Sequence, residues 1–74
     1  MKKILIDTNA YVAFKRNVPL AINIIQQVEF IGINAVVLGE LFSGFKGGQK
    51  EEINRKELNQ FLDTSRVQIL QIDE

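Results

Sequence analysis

Neither cysteine nor histidine occurs in the chain. Without cysteine there is no disulfide and no thiolate metal site. Without histidine the commonest zinc ligand and the usual neutral-pH base are both gone. Any metal chemistry must therefore use oxygen ligands, which suit magnesium or manganese better than zinc or copper. A surplus of charge is missing too: nine Lys and Arg balance nine Asp and Glu. That is a poor profile for a protein that wraps nucleic acid unaided, although it leaves room for a local basic patch. No apolar run approaches membrane-spanning length. Met1-Lys2-Lys3 followed by Ile4-Leu5-Ile6 starts like a secretory signal, but Asp7 ends the apolar core after three residues. The expected location is the cytoplasm.

What is present is 74 residues with a hydrophobic fraction of 46%. That suits one globular domain with a thin core and argues against disorder. Ile4-Leu5-Ile6 is a continuous apolar run, the pattern of a parallel strand covered on both faces. Residues 3–7 are therefore expected to form the first strand. A short helix over residues 9–16 should follow, capped by Asp7 or Thr8. Asn17-Val18-Pro19 breaks it, and Pro19 suits the first turn of a second helix over residues 19–29. Leu20, Ala21, Ile24, Ile25 and Val28 fall on one apolar stripe at helical period.

A short strand is expected over residues 30–33, and then Asn34 as the cap of a third helix over residues 35–45. That helix is apolar nearly all round, which predicts that it is buried. Gly44, Gly47 and Gly48 close it. A fourth helix over residues 49–64 carries Leu58, Phe61 and Leu62 as its stripe, with Ile53 at the margin. A third strand over residues 66–72 completes the order β-α-α-β-α-α-β, which argues for a parallel α/β sheet with right-handed crossovers.

Two carboxylates stand out. Asp7 sits where the first strand leaves the sheet, the edge at which open α/β folds bind ligands. Glu40 is the one ionisable residue in the first ten positions of the apolar third helix, where an unpaired charge is expensive. Helical side chains lean toward the helix N-terminus, so Glu40 leans toward the sheet edge that carries Asp7. A divalent cation would relieve the repulsion between them. Plainer readings stand beside this one. Asp7 serves equally as a helix cap, and Glu40 as a residue on a solvated helix edge. Thr8 and Asn9 commonly stabilise turns. Lys46, Lys50, Arg55, Lys56 and Arg66 could contact phosphate, but Glu51, Glu52, Glu57 and Asp63 among them favour a mixed solvated face. A receiver or phosphatase type of α/β domain fits less well, because no second aspartate lies beside Asp7.

Ile4-Leu5-Ile6-Asp7-Thr8-Asn9-Ala10-Tyr11-Val12-Ala13 resembles the opening motif of the PIN-domain family. Asn34-Ala35-Val36-Val37-Leu38-Gly39-Glu40-Leu41-Phe42-Ser43-Gly44 resembles its second motif, and the separation of Asp7 from Glu40 suits the bacterial VapC-type toxins. The resemblance covers essentially the whole chain. It implies a PIN-like three-layer α/β fold, truncated to about three strands in the order 3-2-1. It implies a magnesium- or manganese-dependent endoribonuclease acting on RNA, with Asp7 and Glu40 as catalytic, metal-coordinating acids and Thr8 and Asn9 as supporting residues. It also implies an antitoxin protein as partner.

A family member continues for roughly as long again, with further acids and with strands that flank the first one. Residues 1–74 are therefore expected to be the N-terminal part of a PIN-like domain, its C-terminal part absent. Two functions follow: a nuclease completed from elsewhere, or an inactive interaction module that binds an antitoxin or itself. With its flanking strand missing, the first strand becomes an open edge, which implies a homo-oligomer.

Overall fold

Asp7 and Asn34 do the same job at the ends of two neighbouring strands. Each is extended, and each side chain accepts a hydrogen bond from the backbone N–H three residues on, Ala10 at 2.7 Å and Val37 at 2.9 Å. Each thereby satisfies one of the unpaired donors that open a helix. The computed structural model describes residues 2–71 and contains β1 (Lys3–Leu5), α1 (Thr8–Lys15), α2 (Pro19–Gln27), β2 (Phe30–Asn34), α3 (Ala35–Phe45), α4 (Glu51–Leu62) and β3 (Val67–Leu70). The expected order of elements holds. Ile72, expected to end the last strand, and the terminal Asp73 and Glu74 lie outside the described residues.

The loops are closed by backbone geometry that the sequence signals. Asn17 takes a positive φ of 61°. Its N–H donates to the Phe14 carbonyl and that of Val18 to the Ala13 carbonyl, the paired bonds of a Schellman ending. Pro19 then opens α2, where its missing N–H is no loss. At the other end of α2, the Arg66 guanidinium donates from one nitrogen to the carbonyls of Ile25 (2.9 Å) and Val28 (2.6 Å). The sequence places this residue among cations that could contact phosphate or, as the nearby acids favour, form a mixed solvated face. It instead ties the entry of β3 to the exit of α2.

The three strands are parallel in the order β1-β2-β3, with Ile4 level with Ile31, and Ile31 level with Val67. Side chains alternate across a sheet, so Ile4, Ile31, Ile33 and Val67 share one face. Against that face pack Tyr11 of α1, Ile25 of α2, Leu41 of α3 and Leu58 of α4, in a single core with Ile6 and Val28. Ile31, Ile33 and Leu58 have no exposed surface. Tyr11 lies edge-on to Phe61, with ring centroids 5.3 Å apart, and Phe14 completes an aromatic group beneath α1 and α4. Such contacts add about 0.5–1.5 kcal/mol beyond their area.

The opposite face carries Lys3, Leu5, Phe30, Gly32, Gln68 and Leu70. There Leu70 and Leu5 close over Gly32, where an added Cβ would sit 2.7 and 2.9 Å, respectively, from their methyl carbons. Leu5 is 75% exposed. Of a three-layer fold, the described residues thus build two layers, one of strands and one of helices, and the shortest extent is only 19 Å.

This accounts for two departures from expectation. α3 is not buried all round: Leu41 faces the core, whereas Ala35, Val36, Gly39 and Glu40 are exposed. The stripe of α2 divides: Ile25 and Val28 are buried, whereas Leu20 and Ile24 face solvent. A single helical layer has neighbours on one side only. Element ends also differ slightly, β1 stopping at Leu5 and α4 starting at Glu51. Among the described residues, no helix is long and apolar enough to cross a membrane.

Candidate metal centre

The register of the sheet brings the candidate residues together. Leu5 pairs with Gly32, so two residues further on Asp7 comes level with Asn34. Both strands leave the sheet there, and α1 and α3 both start at that edge. Neither helix has an acidic residue in its first turn. Their opening N–H groups therefore leave the edge electropositive, which favours acidic side chains and phosphate alike.

Glu40 lies in the second turn of α3, and its side chain reaches back to this edge. The Thr8 hydroxyl, from the first residue of α1, donates to Glu40 Oε1 at 2.7 Å. That bond spans 32 positions of sequence and ties the start of α1 to α3 directly beside Asp7. Asp7 is fixed from the other side, its Oδ1 held by the Ala10 N–H. Each carboxylate thus has one oxygen engaged, and the other has no protein partner among the described residues. Asp7, Asn9 and Glu40 are exposed, and Thr8 is half-buried. Asn9 sits in the first turn of α1, adjacent in sequence to both Thr8 and Ala10.

The donor set suits the divalent ion that the family resemblance implies. Magnesium is commonly bound through one or two carboxylates, with waters and substrate phosphates completing its shell. Two solvent-facing carboxylates with free oxygens, and no nitrogen or sulfur donor, fit that requirement. They do not amount to a closed protein cage: no group of three or more acids gathers among the described residues.

The remaining cations are dispersed. Lys15 pairs with Glu57 at 3.4 Å and Arg55 with Glu51 at 3.5 Å, both at the surface, where such pairs add little. Arg55 also lies over the Phe42 ring, 5.1 Å from its centroid. Tyr11, one helical turn past Asp7, lines a cleft with Lys15, Arg16, Asn54 and Glu57. Burial, and secondarily the charge of Glu57, pushes its hydroxyl pKa up to about 12. The phenol is therefore neutral at ordinary pH.

The edge thus carries a strand-end acid and, on a helix starting at the next strand, a second acid that accepts from the hydroxyl of the residue following the first. The PIN domain family model matches residues 4–74, and the chain belongs to that family. Among solved structures it is similar to VapBC2 from Rickettsia felis, determined bound to a DNA fragment from its promoter. The likeness has a TM-score of 0.76 at 28% identity and covers 95% of this chain and 55% of that one. The chain thus spans little more than half the length of this relative. The likeness agrees with the VapC-type resemblance of the sequence. Among curated proteins, none matches the chain in sequence.

Proposed function

We propose that the chain carries part of the active site of a PIN-type, metal-dependent endoribonuclease of the VapC kind, with magnesium or manganese as cofactor and RNA as substrate. The observation that supports this best is the Thr8–Glu40 hydrogen bond, which ties a helix-borne glutamate to the residue that follows the strand-end aspartate. Asp7 and Glu40 would hold the ion through the oxygens that their hydrogen bonds leave free. The chemistry such an ion supplies is polarisation of a phosphodiester and activation of water. Thr8 fixes the Glu40 side chain, and the Ala10 N–H fixes Asp7, so both acids are oriented before substrate arrives. Asn9 is assigned a supporting role in the same turn. The N-termini of α1 and α3 favour an anionic substrate at this edge.

By its likeness to a VapBC2 structure, the partner proposed for this chain is an antitoxin protein. The chain spans 55% of that relative, and in this reading further acids of the site would lie in the part it does not cover. A second reading is favoured by the uncovered sheet face: an inactive module that binds an antitoxin or a second copy without cutting RNA.

The test is cleavage of a mixed RNA pool with added manganese or magnesium. The nuclease reading expects metal-dependent cleavage, lost in Asp7→Asn and Glu40→Gln and weakened in Thr8→Val. Equal activity in Asp7→Asn overturns the site assignment. No cleavage with either metal, with antitoxin binding retained, selects the module.

A further inference from the structure

We infer that the cleft over Tyr11 is a nucleobase subsite for single-stranded RNA, in which Glu57 and Asn54 read the edge of a guanine a few nucleotides from the phosphate at Asp7 and Glu40. The inference rests on the nuclease reading for its substrate and adds to it a choice of base.

The cleft holds a polar group that the fold leaves unused. Tyr11 is only 2% exposed, yet its hydroxyl has no hydrogen-bond partner among the described residues and is not sealed from the cleft. A buried phenol usually finds a partner. Around it stand Lys15 and Arg16 at the end of α1, Phe45 at the end of α3, and Asn54 and Glu57 of α4, enclosing about 210 Å³. The Asn54 side-chain amide is likewise unengaged among the described residues, and Glu57 engages only Oε2, with Lys15 at 3.4 Å. Thr8, Tyr11 and Lys15 fall at i, i+3 and i+7, on one stripe of α1. The cleft therefore lies along the same stripe as the Thr8–Glu40 bond. Tyr11 and Lys15 are about 6 and 12 Å along the helix from Asp7. A stacked strand rises about 3.4 Å per nucleotide, so the cleft is about two to four nucleotides from the acids.

Volume and donor set define the occupant. Pockets that enclose a whole small ligand run to about 300–1,000 Å³, so this one takes a single base-sized ring system. Glu57 leaves an acceptor in the cleft and repels a bare anion, so free phosphate is a poor fit. The Tyr11 hydroxyl donates, and the Asn54 amide both donates and accepts. Guanine matches this set. Its N1–H and its N2 amine lie side by side for the Glu57 carboxylate, and its O6 accepts from Tyr11 or Asn54. Adenine presents a lone pair to the carboxylate where guanine presents N1–H, and uracil has one N–H between two carbonyls. Arg16 is exposed at the cleft, makes no ion pair among the described residues, and is placed for the phosphate of the same nucleotide. Single-stranded RNA is read in this way, by a base edge and an aromatic wall, here Phe45.

The test is fluorescence anisotropy of labelled uridine hexanucleotides that carry one guanine, inosine or adenine, in chelator so that nothing is cut. The guanine form should bind about tenfold more tightly than the adenine form, as one bidentate pair allows, and inosine, which lacks the N2 amine, should fall between. Glu57→Gln should remove the preference. Lys15→Gln breaks the same ion pair but keeps the acceptor, so it should weaken every form alike and leave the preference in place. A merely structural role of the pair would move both variants together. Tyr11→Phe should weaken the guanine form severalfold at unchanged circular dichroism. The chain has one tyrosine, so ring-labelled tyrosine gives one set of NMR signals, which should shift when the guanine form is added. No binding, equal binding of all forms, a preference that survives Glu57→Gln, or unmoved tyrosine signals overturns the inference. Metal-dependent cutting lost in Asp7→Asn, without any base preference, removes the subsite and keeps the nuclease reading. Guanine binding at Tyr11 with no cutting under either metal keeps the subsite and removes the nuclease.

Discussion

Replacing Arg66 with methionine keeps most of the side-chain volume and removes the guanidinium. Two backbone carbonyls then lose their donor, Ile25 at 2.9 Å and Val28 at 2.6 Å. Hydrogen bonds from a charged donor contribute about 1.5–3 kcal/mol each, but these two share one nitrogen, and the exit of α2 lies near enough to solvent for water to replace part of the loss. A net destabilisation of about 2–4 kcal/mol follows. At about 0.05–0.15 kcal/mol per residue, a domain of this length has only about 4–11 kcal/mol to lose. Urea titration followed by circular dichroism reads the effect directly. With a slope near 1 kcal/mol/M, the midpoint should fall by about 2 M or more at unchanged slope. Arg66→Lys should recover part of it, since an ammonium keeps the charge and loses the fork. A loss below about 0.5 kcal/mol, the range of ordinary surface substitutions, would refute the capping role and return Arg66 to the solvated cations.

Asp7 separates a cap from a ligand. Asn caps helices as well as Asp does, so Asp7→Asn should leave the urea midpoint nearly unchanged, whereas Asp7→Ala should cost about 1 kcal/mol. If manganese binding is measured by calorimetry on both, it should be weak in wild type and absent in each variant. Tyr11 gives a pH signature. Its folded pKa is raised from 10.0 to about 12, so its contribution to stability is complete below pH 10 and is lost as pH rises toward 12. The loss is at most about 2–3 kcal/mol and is reduced by water reaching the hydroxyl through its cleft. The difference between wild type and Tyr11→Phe across that window isolates the contribution of this hydroxyl.

Much of this architecture was legible where a local signal and a tertiary need coincide. Asp7 and Asn34 each follow an apolar run and precede a helical pattern, and both act as caps. Asn17-Val18-Pro19 reads as a break because Asn tolerates the left-handed backbone that the helix ending needs. The direction of Glu40 was legible too, since helical side chains lean one way and the edge they lean toward is fixed by topology. What was not legible depends on neighbours remote in sequence. Periodicity shows that Leu20, Ile24 and Val36 are apolar, but not that the helices form one layer and leave these side chains uncovered. Arg66 reads as one more surface cation because its acceptors lie about 40 positions earlier. The Thr8–Glu40 bond joins two residues that sequence pattern can place only on separate helices.

The central strand has a consequence for how the molecule comes apart. β1-α1-α2-β2 and β2-α3-α4-β3 are two copies of one wiring, and they overlap in a single shared strand. Ile31 and Ile33, with no exposed surface, belong to both halves at once. Either outer strand can peel away with its helices while β2 stays docked on the other half. Opening of the molecule therefore resembles unzipping from its two ends, and amide protons should exchange slowest over residues 31–33 and progressively faster outward.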